Sequence, residues 1–579
     1  MPTSGPFATF LRIVFTPLLI YSAIATLQQC KSVDAGERYI TDSLRITKGE
    51  KLFREQCSGC HNFRQNGIGP NLSGVTDSVS ASWMHHFIFS PEKMVKEHDT
   101  RADFLARHYK TIMPSFDHLG DSAVTQIMAF IHAQKRTVPL PKNSNAVADP
   151  IPAVIPFSDW VLDLEYLVQF PASSTKMPLT RITFLYDQPE MNRKFVLDLR
   201  GKLYVMENNT STVYMDMAAL RPAFINQPGL GSGFGSFCFH PDFFNNGLLY
   251  TTHTEKGKTA KADFAINDSI KPSIQWVVTE WKLKDPRASS FAGSGRELFR
   301  IDMVTDIHGV QQISFNPLSR KGDEDYGLLY IGIGDGGSAE NGYGFLISNK
   351  DAVWGTIFRI DPLGRNSRNK KYGIPPSNPF VRKRDVKSNP EIYSYGYRNP
   401  HRLIWLKDGR MLTANIGNTN IEAVYQVEAG NNSGWPFREG SFVINTEKNM
   451  DDIFPLPVDD SIQHISYPVI EYDHDEGKAI AGGYEYTGSE LPELKNKFCF
   501  ADLNNGRIFF TEVRDIKRGQ QSPISEFHLS IDRKPVTLAQ LAGTTRVEMR
   551  LGQDSKGELY ILTKPDGKLY KIKGVHRSD

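Results

Sequence analysis

Residues 195–205 read FVLDLRGKLYV: an apolar run, a polar turn on Arg200 and Gly201, and a second apolar run through Leu203, Tyr204 and Val205. Two such runs around a glycine turn predict a β-hairpin. The same unit, with Leu-Tyr or an apolar equivalent after the turn, returns at 237–250, 313–331, 403–412, 498–509 and 547–561. Recurrence of one supersecondary unit along a chain marks a repeat architecture. Six hairpins predict six blades, and the scarcity of long helical patterns after Arg136 excludes a doubly wound sheet. Radial closure of the blades protects strand edges and leaves a central opening where loops converge, the place to expect chemistry. The expected fold is a small all-α domain followed by an all-β six-bladed β-propeller.

The small domain is read from Cys57-Ser58-Gly59-Cys60-His61, which holds two of the five cysteines. Two thiols at this spacing with histidine directly behind are the attachment pattern of a c-type haem, with the imidazole on iron. A zinc site needs two more ligands, and no second pair lies nearby. Ile46 to Phe53 reads as a helix with Gly49 and Phe53 on one face. Gly69-Pro70-Asn71-Leu72 resembles the loop of class I cytochromes c in which a proline carbonyl accepts the ring N–H of the haem histidine, orienting it. Met113, in Ile112-Met113-Pro114, is the expected sixth ligand. A final helix follows, capped by Asp121, with Val124, Ile127, Met128 and Ile131 on its apolar face. Met84, Met94 and Met128 read as core fillers. A thioether opposite an imidazole raises the iron potential, which suits an electron acceptor.

Arg12 precedes an uncharged, largely apolar run to Leu27, and Gln28-Gln29-Cys30 follows. The run is short for a membrane-spanning helix. Residues 1–29 therefore read as a lipoprotein-type signal peptide, with Cys30 the lipidated residue, and 30–44 as a linker. Export to the periplasm or the outer cell surface of a bacterium is expected, since haem attachment takes place outside the cytoplasm. The haem domain spans 45–137, a proline-stiffened linker and propeller entry 138–178, and the propeller 179–576. A formal charge of +2 over 579 residues gives no sign of a nucleic-acid partner. Cys238 and Cys499 read as buried free thiols.

Phe239-His240-Pro241-Asp242-Phe243, Gly334-Asp335-Gly336-Gly337 and Tyr395-Gly396-Tyr397-Arg398-Asn399-Pro400 resemble, in order and spacing, segments of the soluble quinoprotein glucose and sorbosone dehydrogenases. Asn432-Ser433-Gly434-Trp435-Pro436 and Gly482-Gly483-Tyr484 extend the likeness. It implies a six-bladed propeller that uses pyrroloquinoline quinone and Ca²⁺ to oxidise a sugar or other alcohol. His308 then matches the general base, Asp335 the carboxylate that holds it, and Arg398 the arginine on the quinone carbonyls. Asn399 matches a cofactor contact, and the carbonyls of Gly417 and Asn418 the backbone ligands of calcium.

Four positions depart from that pattern. Gly231 stands where the quinone-binding members carry glutamine, Asn504 where they carry lysine, and Thr545 and Val547 where they carry arginines. A shifted register would bring Arg546 or Arg550 into use. Gly482-Gly483-Tyr484 and Tyr467 to Tyr472 are similar to the wider branch that includes hedgehog-interacting-protein-like propellers. Two readings stay open: an exported quinohaemoprotein dehydrogenase that passes electrons through its haem to a respiratory or soluble acceptor, or a glycan- or protein-binding propeller tethered to an electron-transfer cytochrome.

Overall fold

A computed structural model describes residues 38–109, 113–136, 143–227, 231–347, 351–381, 388–446 and 448–578. The expected signal segment 1–29, Cys30 and the linker as far as residue 37 lie outside the described residues.

The N-terminal domain is helical: α1 Ser43–Gln56, α2 Ala81–Phe89, α3 Pro91–Lys96, α4 Thr100–His108 and α5 Gly120–Ala133. Asp42 caps α1 by accepting from the Arg45 N–H, which satisfies one of the orphan donors at a helix start. Helices α1 and α5 cross where Gly49 and Phe53 are buried, as their spacing predicts. Val124, Ile127, Met128 and Ile131 bury the inner face of α5. Asp121 does not cap that helix. The helix begins one residue earlier at Gly120, and the Asp121 carboxylate lies within the first turn, close to His85. Met84 and Met128 are buried and Met94 is half-buried.

The rest is all β. Four sheets of four antiparallel strands follow one another over 182–216, 234–303, 312–395 and 400–473. A nine-stranded sheet then joins the strands of 480–536 to those of 549–577 through Phe157–Gln169. That strand runs antiparallel to Lys568–Arg577, with Trp160 opposite Arg577, and parallel to Ser525–Ile531. Residues 138–178, read from sequence as linker and propeller entry, thus contribute a strand that ties the first part of the β domain to its last. Each of the six repeat hairpins falls on adjacent antiparallel strands: 195–205, for example, pairs Phe195 with Val205 and Leu197 with Leu203.

Burial explains why the strands arrange in this way. Leu329–Ile333 and Met411–Asn415 are buried along their whole length, as strands covered on both faces require. Thr210–Asp216, at the end of its sheet, exposes most of its first half and carries polar residues there, which discourages pairing with another chain. Aromatic residues fill the space between sheets; Phe195, Phe234, Phe237 and Trp281 belong to one such core. Cys238 and Cys499 are buried free thiols.

Candidate functional site

The loop after α1 brings Cys57, Cys60 and His61 to one wall of a cleft. His61 Nδ1 donates to the Pro70 carbonyl at 2.9 Å, which turns the other ring nitrogen into a ligand position. A Cβ at Gly69 would stand 2.3 Å from His61 Cε1, so only glycine lets this loop press on the ring. Burial lowers the histidine pKa, favouring the neutral imidazole that ligation requires. Met113 lines the same cleft, as do Met84, Ile127 and Ile131. The donor set fits a covalently attached haem: two thiols, an oriented imidazole and a thioether around an apolar cavity.

This cleft does not end at the domain boundary. A single cavity of about 1680 Å³ continues from His61 and Met113 to Asp306, Asn504, Thr545 and Arg546 of the β domain, well above the ~300–1,000 Å³ of an ordinary ligand pocket. The attachment loop lies directly on the β domain: a Cβ at Gly59 would stand 2.3 Å from Asp306 Oδ1 and 3.1 Å from Ile307 Cγ2. Ser273 Oγ donates to the Arg54 carbonyl across the same interface, and Lys176 pairs with Asp117. Both Asp306 oxygens are buried without a hydrogen-bond partner, and burial pushes its carboxyl up to about 7.

Beneath Asp306 lie the three residues that the resemblance singles out. His308 Nδ1 and Asp335 Oδ1 are 2.8 Å apart. Asp335 also accepts from the Gly337 N–H at 2.9 Å and from Trp435 Nε1 at 3.0 Å. Gly336 and Gly337 both have positive φ, 63° and 69°, the tight turn that aims Asp335 inward. Burial opposes ionisation of Asp335, but His308, Arg398 and the Gly337 N–H outweigh it and hold the carboxyl below its ordinary range. His308 itself has φ 51°, a left-handed backbone that costs a non-glycine residue energy and clusters at functional sites. The imidazole is only 6 % exposed; the chamber wall is formed by Asp306, two residues earlier, instead of by His308. Sequence reading puts His308 in the open mouth; in the fold it is buried off the chamber, beside Asp335 and the Gly334–Gly336 turn.

Arg398 is buried and already engaged. Its guanidinium pairs with Glu340 and donates to the Gly417 carbonyl. That carbonyl is one of the two expected for calcium, and a guanidinium on it repels a dication, so the residues do not fit Ca²⁺ as the resemblance implies. Asn418 turns its backbone N–H to Glu439. Asn399 donates weakly to Gln311 and keeps a buried side-chain oxygen without a partner. Among the described residues no group of three or more His, Cys, Asp or Glu side chains is placed to hold a metal ion.

The departures at the quinone positions have structural reasons. A Cβ at Gly231 would stand 3.0 Å from the Asp306 carbonyl and 3.1 Å from Ile307 Cα, leaving little room for a glutamine. Val547 is fully buried in the core. Asn504 and Thr545 do line the chamber, beside Arg181, Arg200 and Arg546. Cations around that end fit a carboxylate-bearing cofactor such as pyrroloquinoline quinone.

The family model for glucose/sorbosone dehydrogenase matches residues 178–571, and that for cytochrome c matches residues 46–135. The chain belongs to the glucose/sorbosone dehydrogenase family. Its β domain is a β-propeller of that family, fused behind a cytochrome c domain. Among curated proteins, the HIPL1 protein of Arabidopsis thaliana is 25% identical over 377 residues, 57% of this chain and 52% of the relative. The hedgehog-interacting protein of Homo sapiens is 24% identical over 425 residues, 70% of this chain and 52% of the relative. The chain thus spans about half the length of these relatives. A PQQ-bound aldose sugar dehydrogenase from Streptomyces coelicolor is 17% identical in structure comparison, with a TM-score of 0.47, covering 73% of this chain and 100% of that one.

Sequence reading names His308, Asp335 and Arg398, and the fold brings all three together in this family member. It assigns no role to Glu340, Trp435 or Asp306. Trp435 sits in the Asn-Ser-Gly-Trp-Pro segment that carries the resemblance, so a signal was present. Asp306 opens the Asp-Ile-His-Gly segment that holds His308 and Glu340 lies three residues past Gly337, and only the fold shows what they touch.

Proposed function

We propose that this chain is an exported dehydrogenase that oxidises a sugar or other alcohol at the propeller mouth and hands the electrons to its own cytochrome c domain, and from there to a respiratory or soluble acceptor. The shared chamber carries this reading: the haem-ligating side chains and the mouth residues Asp306, Asn504 and Arg546 line one cavity. Covalent tethering already gives an effective concentration on the order of millimolar, and docking removes the encounter step. When bound, pyrroloquinoline quinone would supply hydride acceptance and the haem one-electron transfer. His308, held through Nδ1 by Asp335, is oriented to take a hydroxyl proton at its other ring nitrogen. Trp435 and Gly337 keep Asp335 in place for that task. The imidazole is buried and does not line the chamber, so substrate access to it requires local opening around Asp306 and Ile307.

The sheet set is read here as six blades, with Phe157–Gln169 closing the last one. Export is supported by the apolar run before Cys30 and by the haem-attachment motif, and lipid on Cys30 would place the protein at a membrane surface. Mass spectrometry of the mature N-terminus tests that step.

One observation favours a second reading. Glu340 and the Gly417 carbonyl hold Arg398, the group expected on the quinone, which suits a propeller that binds a glycan or protein and leaves redox chemistry to the cytochrome. Anaerobic addition of aldoses to the full chain supplied with the quinone separates the two. Reduction of the haem bands supports the dehydrogenase, and unchanged oxidised bands with every sugar support the binding module.

A further inference from the structure

A second histidine–carboxylate pair stands at the chamber wall, separate from His308 and Asp335. His474 directly follows the strand Ile470–Asp473, and its backbone N–H donates to the Asn420 carbonyl at 3.0 Å. Glu422 lies on the neighbouring strand Ile421–Val427, in register with Tyr472. Its Oε1 accepts from His474 Nε2 at 3.1 Å and from the Gly417 N–H at 3.3 Å, and its Oε2 accepts from the Ile480 N–H at 2.8 Å. Three N–H groups thus fix a carboxylate that is fully buried.

His474 lines the chamber, which His308 does not. With Nε2 aimed at the buried Glu422, the 15 % of the side chain that is exposed lies on the ring edge that carries Nδ1. Among the described residues, Nδ1 has no hydrogen-bond partner. Burial lowers the ring to about 4 against the pull of Glu439 and Asp502, with Lys478 and Arg398 assisting, so the imidazole is neutral at neutral pH. A neutral imidazole that donates through one nitrogen accepts through the other.

The rim around His474 is rigid and polar. Fully buried Asp502 accepts from the Lys478 and Ala479 N–H groups on one loop, at 2.7 and 2.8 Å, and from the Asn504 and Asn505 N–H groups on the other, at 2.9 and 3.1 Å. A Cβ at Gly477 would stand 2.4 Å from the same carboxylate, so the loops meet closely. His474, Asn504 and Asn505 therefore hold fixed positions on one wall. Pre-placed polar groups of this kind set orientation and specificity in a ligand pocket.

We propose that His474, held through Nε2 by Glu422, is a substrate-contacting residue that accepts a hydrogen bond at Nδ1 from a second hydroxyl, so that the chamber selects polyhydroxylated molecules over monohydric alcohols. The proposal deepens the reading of the chamber as the place where substrate binds, and rests on it. A bare nitrogen held toward the ligand favours a molecule that brings a hydroxyl to it, because one without leaves the acceptor unpaired. His308 keeps its role at the hydroxyl that is oxidised.

The test uses the full-length, haem-loaded protein without added quinone, so that binding is read apart from turnover. Burial pushes the Glu422 carboxyl up to about 7, and measurement at pH 8 keeps it ionised and the ring proton on Nε2. Dissociation constants for D-glucose, D-xylose and glycerol, with 1-propanol as the monohydric control, are taken by saturation-transfer NMR on wild type, His474→Phe and His474→Gln, alongside haem spectra and melting temperatures. At least one polyhydroxylated probe should bind wild type, bind at least tenfold more weakly to His474→Phe, and regain part of that affinity in His474→Gln, whose amide oxygen restores an acceptor. 1-Propanol should not distinguish the three proteins. In wild type, the nitrogen-15 signal of His474 Nδ1 should be that of an unprotonated nitrogen and should move when the sugar binds, a readout that needs no variant. Sugar binding that depends on His474, without haem reduction once quinone is supplied, keeps the site and supports the glycan-binding reading of the propeller. Equal sugar binding in wild type and His474→Phe overturns the proposal and leaves the dehydrogenase reading standing. A protonated Nδ1, or wild type that binds none of the polyhydroxylated probes, overturns it as well.

Discussion

Gly59, at the centre of the haem-attachment pentapeptide, rests so close to Asp306 that a Cβ would stand 2.3 Å from Oδ1. The contact joins the two domains two residues from His308.

Gly59→Ala should loosen this docking. Overpacking a fitted contact costs about 1–3 kcal/mol, and a domain able to move away meets the strain by doing so. The expected result is faster proteolysis between the domains and separate melting of the two, with haem spectra unchanged. A single melting transition at the wild-type temperature would show that the loop does not rest on the propeller in solution.

Asp306 gives the docked state a pH dependence. Its carboxyl is raised from an ordinary 3.8 to about 7 by burial, so the folded protein holds a proton there that the unfolded chain has lost. Stability from this group is therefore full below pH ~4 and declines as pH rises toward 7. Asp306→Asn should remove that decline and raise stability at pH 8 by about 2 kcal/mol. Denaturant titrations of wild type and variant at pH 5 and pH 8 check both sign and size.

Met113 should set the haem potential from the far side of the cleft. Met113→His replaces a thioether with a second imidazole and should lower the midpoint potential on the order of 100 mV while keeping a six-coordinate spectrum. An unchanged potential would remove Met113 from the iron.

Glu340→Gln weakens the hold on Arg398 by removing a charge-assisted partner, an effect of ~1.5–3 kcal/mol. If Arg398 serves a quinone, this variant should bind pyrroloquinoline quinone about tenfold or more tightly by calorimetry. Unaltered affinity would mean that the guanidinium is structural.

The hairpins were legible because each repeat carries its own evidence: alternating apolar residues around a glycine turn need no distant partner to be read. The α1–α5 core was legible for the same reason, since Gly49 and Phe53 share one face within a single helix. Phe157–Gln169 was not read as a strand, because its partners, Lys568–Arg577 and Ser525–Ile531, lie at the other end of the β domain and no local pattern announces them. The N-cap of α5 is Leu119, two residues ahead of the expected Asp121, within the usual scatter of helix ends. At the site, motif order identified His308, Asp335 and Arg398. The seating of Gly59 on Asp306 and the Glu340 pairing with Arg398 both arise from contacts between distant segments.

The proposed function requires electrons to pass from substrate at the propeller to the haem of the same chain. The direct measurement is anaerobic, stopped-flow absorbance of the full-length haem protein, supplied with pyrroloquinoline quinone and mixed with aldoses, for wild type and His308→Ala. Substrate-dependent reduction of the haem in wild type, at a rate independent of protein concentration and at least a hundredfold slower in His308→Ala, is the predicted result. Oxidised bands that no sugar alters, or equal reduction in the two proteins, would contradict it.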